Sequence, residues 1–149
     1  MTDVPPELLD LIRRFEGFRS RAYLCPAGVW TIGYGSTGPD IRPGMVWTRE
    51  QAEARMLLDA QRFVSAARRL CPSAQGRQLA ALADFAYNLG ASRLAGSTLR
   101  KKFNAGDIAG TQKEMRKWVR GGGKILPGLV LRREAEISLL EGSCRQLQN

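Results

Sequence analysis

Histidine is absent from all 149 residues of this chain. That absence removes Ser-His-Asp and Cys-His nucleophilic arrangements and the usual catalytic zinc sites, which depend on an imidazole. Cysteine is scarce, and Cys25, Cys71 and Cys144 stand far apart without a Cys-x-x-Cys spacing. A structural zinc site is therefore not expected, nor any other metal or cofactor. An odd number of cysteines does not close into a complete disulfide framework. Reduced thiols are the expectation, with a Cys71–Cys144 bridge as the open alternative. Long apolar runs are also missing. None approaches the roughly 18 residues that cross a bilayer, so no stable membrane insertion is expected. The opening Met1-Thr2-Asp3-Val4-Pro5-Pro6 has neither the charged nor the apolar region of a signal peptide. Whatever chemistry the protein performs must rest on carboxylates, hydroxyls or a thiol.

What is present is ordinary for a folded protein: 44% hydrophobic and 25% charged residues, in a length typical of one domain. The net charge of +9 is unevenly spread. Residues 91–149 hold 12 basic against 5 acidic side chains, while residues 1–90 hold 11 against 9. A basic half attracts polyanions, whether nucleic acid, lipopolysaccharide or wall polymers, and charge alone does not choose among them. Arg100-Lys101-Lys102 is the one dense basic run, and no helix-turn-helix or other recognition pattern accompanies it. A nucleic-acid partner is not expected.

The chain reads as α+β, without repeats. Val4 to Glu16 predicts a helix with Leu8, Ile12 and Phe15 on one face and Gly17 as its stop. Arg21–Leu24 and Val29–Gly35 predict strands around a Cys25–Gly28 turn, with a third near Met45–Trp47. In the second strand Trp30, Ile32 and Tyr34 would share one face. Thr48-Arg49-Glu50-Gln51 fits a capping box opening a helix to Leu70. Helices follow at Arg77–Leu89, from Ser97 to near Gly106, from Asp107 to Val119, and at Leu129–Leu140, with Gly121-Gly122-Gly123 as a flexible loop. The expected architecture is an N-terminal helix and a small antiparallel sheet packed against a mainly helical bundle. One domain would span 1–149, with a β-rich lobe at about 18–47, a helical lobe at about 48–142 and a ligand cleft between them.

Glu16 stands where the first helix gives way to the sheet. A carboxylic acid that donates a proton must be kept protonated by partial burial. Its neighbours Arg13, Arg14, Arg19 and Arg21 oppose that unless they engage elsewhere. On spacing alone, a solvated helix-end glutamate making surface ion pairs is the commoner outcome.

The whole segment changes that balance. Phe15-Glu16-Gly17, followed by Ala22-Tyr23-Leu24-Cys25-Pro26-Ala27-Gly28-Val29-Trp30-Thr31-Ile32-Gly33-Tyr34-Gly35, closely resembles the active-site region of phage-type lysozymes, the T-even and lambdoid endolysins of glycoside hydrolase family 24. That family places a Glu, then an Asp or Cys with eight residues between, then a Thr with five between. Glu16, Cys25 and Thr31 match this spacing. The resemblance continues through Ala86-Tyr87-Asn88-Leu89-Gly90, Trp118-Val119-Arg120, Leu126-Pro127-Gly128-Leu129 and Arg132-Arg133-Glu134.

The resemblance implies a lysozyme-like fold and hydrolysis of the β-1,4 bond between N-acetylmuramic acid and N-acetylglucosamine in bacterial peptidoglycan. Glu16 would protonate the leaving oxygen. Inverting enzymes of this kind generally keep about 6.5–9.5 Å between two carboxyls to admit a water, and here Cys25 replaces the second. A thiolate of depressed pKa can orient water together with Thr31, whereas an inert Cys25 in a turn is the competing reading. Ser36 stands where many relatives have a histidine. Asn88 and Gly90, with Tyr34, are expected to contact sugar. Of Arg132 and Arg133, one is expected to orient Glu16 or bind substrate, and the other to be a solvated charge. The enzyme is expected to be a monomer, synthesised in a host cytoplasm and reaching the wall through a holin-type lesion. A catalytically silent peptidoglycan binder is the alternative that the Cys25 and Ser36 departures raise.

Overall fold

The computed structural model describes residues 3–146, the side chains of 142–146 excepted. Cys144 therefore lies outside the described side chains, and with it the bridge to Cys71, which is a buried free thiol. Helix α1, Pro6–Glu16, begins two residues later than the sequence predicts, with Pro6 in the first turn where a missing N–H costs nothing. It buries Leu8, Leu11 and Ile12. Gly17, at φ +70°, ends it and turns the chain into the sheet.

Strands β1, Arg19–Leu24, and β2, Trp30–Gly33, pair antiparallel with Tyr23 opposite Thr31 and Leu24 opposite Trp30. The third strand expected near Met45–Trp47 is reduced to a bridge between Arg21 and Val46, flanked by bonds from Ala22 N–H to the Met45 carbonyl and from Trp47 N–H to that of Ser20. The predicted alternation in β2 also fails. Thr31, Ile32, Gly33 and Tyr34 are all buried, and β2 packs against the next helix.

That helix is α2, Arg49–Leu70. Its capping box is complete: Gln51 N–H donates to Thr48 Oγ1 at 3.1 Å, and Thr48 N–H donates to Gln51 Oε1 at 2.8 Å. Helix α3, Arg77–Leu89, is the axis of the molecule and packs against α1, α2 and the last helix. It is buried all round, with Leu79, Leu82 and Phe85 interleaved by Ala80, Ala81, Ala83 and Ala86, small residues that let its neighbours approach. Truncating Leu82 there would cost roughly 2–5 kcal/mol.

A five-residue helix α4, Ala91–Ala95, follows Gly90 and is not foreseen in the sequence. Helices α5, Thr98–Asn104, and α6, Ile108–Met115, start on the predicted caps, Ser97 and Asp107. Each cap accepts a backbone N–H three residues on. Helix α6 stops short of Val119. The expected flexible glycine loop is instead a small hairpin of β3, Arg120–Gly121, and β4, Lys124–Ile125, whose turn places Gly122 and Gly123 at φ +58° and +79°. Helix α7, Pro127–Gln146, starts earlier and ends later than the sequence predicts, and it lies along α3. Thus α1 delivers Glu16, the β1–β2 hairpin delivers Cys25 and Thr31, α3 delivers Asn88, and α7 delivers Arg132.

Candidate active site

Glu16 is the last residue of α1, and its side chain remains 21% exposed. Its partner comes from the far end of the chain: Arg132 Nη1 donates to Glu16 Oε2 at 2.7 Å. The arginines beside Glu16 in sequence are occupied elsewhere. Arg13 makes a two-pronged contact with Glu53, Nε to Oε2 at 2.9 Å and Nη2 to Oε1 at 2.7 Å. Arg14 lies over the Phe15 ring and Arg19 over the Tyr23 ring. The opposite side of the Glu16 carboxyl is walled by Gly35, at φ +80°, where a Cβ would meet Oε1 at 2.5 Å.

Cys25 opens the tight turn between β1 and β2. Its N–H donates to the Val29 carbonyl at 3.0 Å and its carbonyl accepts from Gly28 N–H at 2.8 Å. The Val29 backbone N–H, aided by those of Ala27 and Gly28 and by the Thr31 hydroxyl, holds the half-exposed thiol below the ordinary thiol pKa. Thr31 is buried and donates to the Val29 carbonyl at 3.0 Å. Its one proton therefore has two acceptors in reach, that carbonyl and the Cys25 sulfur.

Tyr23, opposite Thr31, feels both Glu16 and Cys25. Burial raises its phenol pKa, Arg19 lowers it, and the charges of Glu16 and Cys25 raise it further. In the sequence, Tyr23 was signalled only by its membership of the 22–35 motif.

A cavity of about 300 Å³ beside the acid is lined by Phe15, Glu16, Asn88, Leu126, Leu129 and Arg132. Asn88 reaches it, but its Oδ1 is held by Arg133 Nη2 at 2.7 Å, which orients the amide N–H groups as the available donors. A larger concavity, about 630 Å³, lies between the 37–40 loop and α2. Glu16 does not line it. Its acids are already paired, Asp40 with Arg55 at 2.7 Å and Asp59 with Arg55 and Arg62. The smaller cavity is the one that Glu16 lines; Cys25 and Thr31 are not among its lining residues.

Several expected roles are corrected. Tyr34 is 3% exposed: its ring packs on Phe18, its hydroxyl accepts from Arg49 and its carbonyl accepts from Tyr87, so it belongs to the core and not to a sugar platform. Arg132 is nearly buried between Asp84 and Glu16, so of the two roles expected for it, the contact seen is the one that orients Glu16. Arg133, expected in solvent, is fully buried and bonds Glu136, Asn88 and the Trp118 carbonyl. Gly90 spends its N–H on Ala86 and its carbonyl on Leu94, joining α3 to α4. Ser36 is buried and donates to Asp59 Oδ2 at 2.8 Å, a structural post inside the β-lobe.

Residues 13–136 match the model of the family described as phage lysozyme. The chain belongs to that family. It is 41% identical over 140 residues to an endolysin of Acyrthosiphon pisum secondary endosymbiont phage 1, covering 91% of this chain and 95% of that protein. It is 40% identical over 134 residues to an endolysin of Bacillus phage B103, covering 88% of this chain but spanning only 51% of the relative. Among solved structures, the muramidase domain of SpmX from Asticaccaulis excentricus superposes with a TM-score of 0.85 at 30% identity, covering 95% of this chain and 99% of that one. The α+β architecture is therefore the lysozyme fold, and this phage lysozyme family member is a glycoside hydrolase. Among the described residues no helix is long and apolar enough to cross a membrane.

Proposed function

We propose that this chain is an endolysin that hydrolyses the β-1,4 bond between N-acetylmuramic acid and N-acetylglucosamine, with Glu16 as general acid and Cys25 and Thr31 holding the water. One observation supports the reading: a part-exposed carboxyl, held by Arg132 at the edge of a cavity, with Tyr23 of the hairpin feeling the charges of both Glu16 and Cys25. Glu16 gives a proton to the departing glycosidic oxygen as the bond to C1 breaks. A water on the opposite face bonds to C1, inverting the anomeric centre, and passes its proton to the Cys25 thiolate. Solvent then restores both groups. Thr31 positions the water or the sulfur, and Asn88 offers its amide N–H groups to sugar hydroxyls or N-acetyl oxygens.

The proposal treats residues 1–149 as one catalytic unit, working as a monomer on the wall. It further takes the protein to be made in a host cytoplasm and released to the periplasm through a holin-type lesion, in keeping with its relatives' names as endolysins. Digestion of purified peptidoglycan by the wild type and by Glu16→Gln tests the chemistry. Muropeptides ending in reducing N-acetylmuramic acid, lost in the variant, are expected. Anhydro ends would make it a lytic transglycosylase. No products from either protein would make it a silent binder.

A further inference from the structure

Beneath Glu16, α3 and α7 bury charges that the proposed reaction does not use. Asp84 of α3 is inaccessible to solvent and accepts from the inward edge of Arg132, Nε to Oδ2 at 2.9 Å and Nη2 to Oδ1 at 2.8 Å. Glu136 receives the same clasp from Arg133, Nε to Oε1 at 2.8 Å and Nη2 to Oε2 at 3.0 Å. Two parallel N–H···O bonds are the geometry of a guanidinium on an ionised carboxylate. Each buried acid thus has its own arginine, and the two pairs are neutral without Glu16. The outer Nη1 of Arg132 is left over, and it donates to Glu16 Oε2 at 2.7 Å. That bond sets a problem for an acid. A lone guanidinium at this distance favours the ionised carboxylate, and would strip Glu16 of the proton it must give.

We propose that Asp84 is a positioning residue for Glu16: it fixes Arg132 by a two-pronged bond and balances its charge, so that the arginine orients the catalytic carboxyl without holding it ionised. Both halves follow from the geometry. A guanidinium is planar, so two bonds along one edge fix where its remaining donor points. Here that donor points at Glu16, with the Phe15 ring 5.7 Å from the guanidinium carbon. The same two bonds set a full negative charge against Arg132 on the side away from Glu16. Without that charge, Glu16 would be the one carboxylate that Arg132 still touches. The titratable and charged groups facing Glu16 are Arg132 from α7, Tyr23 from β1 and Tyr87 from α3. On its own helix, Arg13 and Arg14 turn to Glu53 and Phe15. Asp84 faces Arg132, Arg133 and Glu136, all of α7. The role in catalysis rests on the function proposed above; the effect of Asp84 on the titration of Glu16 does not.

Carbon-13 NMR of the Glu16 carboxyl, assigned by its loss in Glu16→Gln, reads the charge effect without any activity. Asp84→Asn keeps the shape and removes the counter-charge. Glu16 should then lose its proton about one pH unit or more below the wild type. An unchanged midpoint overturns the proposal. Asp84→Asn combined with Arg132→Gln removes both charges, and decides the point even if the single variant misfolds. In this double variant Glu16 should titrate within about one unit of the wild type. A larger rise would mean that Arg132 acts uncompensated in the wild type, which overturns the charge balance. On peptidoglycan at neutral pH, Asp84→Asn should lose roughly tenfold in kcat for each unit of that shift, with KM within about twofold. A loss confined to KM overturns the positioning role. A wild type that hydrolyses nothing refutes the proposed function and leaves the NMR comparison standing.

Discussion

Gly35 presses directly on Glu16: a Cβ built there would lie 2.5 Å from Oε1 and 2.9 Å from Cδ of the carboxyl. The backbone at φ +80° would also strain any larger residue. Gly35→Ala should cost about 1–2 kcal/mol in backbone strain, lowering Tm by roughly 2–8 °C for a chain of this size. The displaced carboxyl should lower peptidoglycan hydrolysis on the order of a hundredfold in protein that remains folded. Calorimetry and a hydrolysis assay on the same preparation separate the two effects. Full activity in the variant would mean that the position of the carboxyl is not critical.

The two described thiols should behave oppositely toward iodoacetamide. Cys25 is half-exposed and held below the ordinary thiol pKa, whereas burial pushes Cys71 to about 11. Peptide mapping should find Cys25 alkylated well before Cys71, at a rate that levels off at lower pH than for a free thiol. Hydrolysis should fall in step with Cys25 modification. Cys25→Ala should lose roughly a hundredfold in rate and Cys25→Asp should recover most of it. Alkylation at Cys25 without loss of activity would place the thiol outside the reaction.

Between Ala60 and Gly106 the only acidic residue is the buried Asp84. Within this basic stretch Arg100 is tied to the Leu70 and Ala95 carbonyls, which leaves Lys101 and Lys102 exposed on α5. Replacing both lysines with alanine should slow lysis of whole cells at about 0.01 M salt, where charges act over about 30 Å, and have little effect at about 0.15 M, where they act over about 8 Å. Turnover of solubilised glycan should not change. Equal lysis by both proteins at low salt would remove the lysines from envelope adsorption.

Much of the fold is legible locally. Thr48 with Gln51, Ser97, Asp107 and Gly17 each set a helix boundary through bonds spanning a few residues, so the sequence carries the signal intact. The 121–125 hairpin was also legible, because two adjacent glycines between extended residues suit a turn needing two positive φ angles, yet composition reads as flexibility. Tyr34 was misplaced because membership of the 22–35 motif does not say which way a side chain faces, and its ring packs on Phe18 in the core. At the site, the resemblance narrows the partner of Glu16 to Arg132 or Arg133 but does not choose between them. Arg132 and Arg133 look alike in sequence, and only the packing of α7 on α3 turns one toward Glu16 and Asp84 and the other toward Glu136 and Asn88.

The 116 residues between Glu16 and Arg132 have a consequence for synthesis. A ribosome delivers Glu16, Cys25 and Thr31 early, yet a nascent chain stopped before residue 132 has no guanidinium to hold its acid. It also lacks Arg133 and Glu136, which occupy the interior beside α3. Chains cut before residue 132 carry all three proposed catalytic residues, yet they should be inert in a peptidoglycan digest.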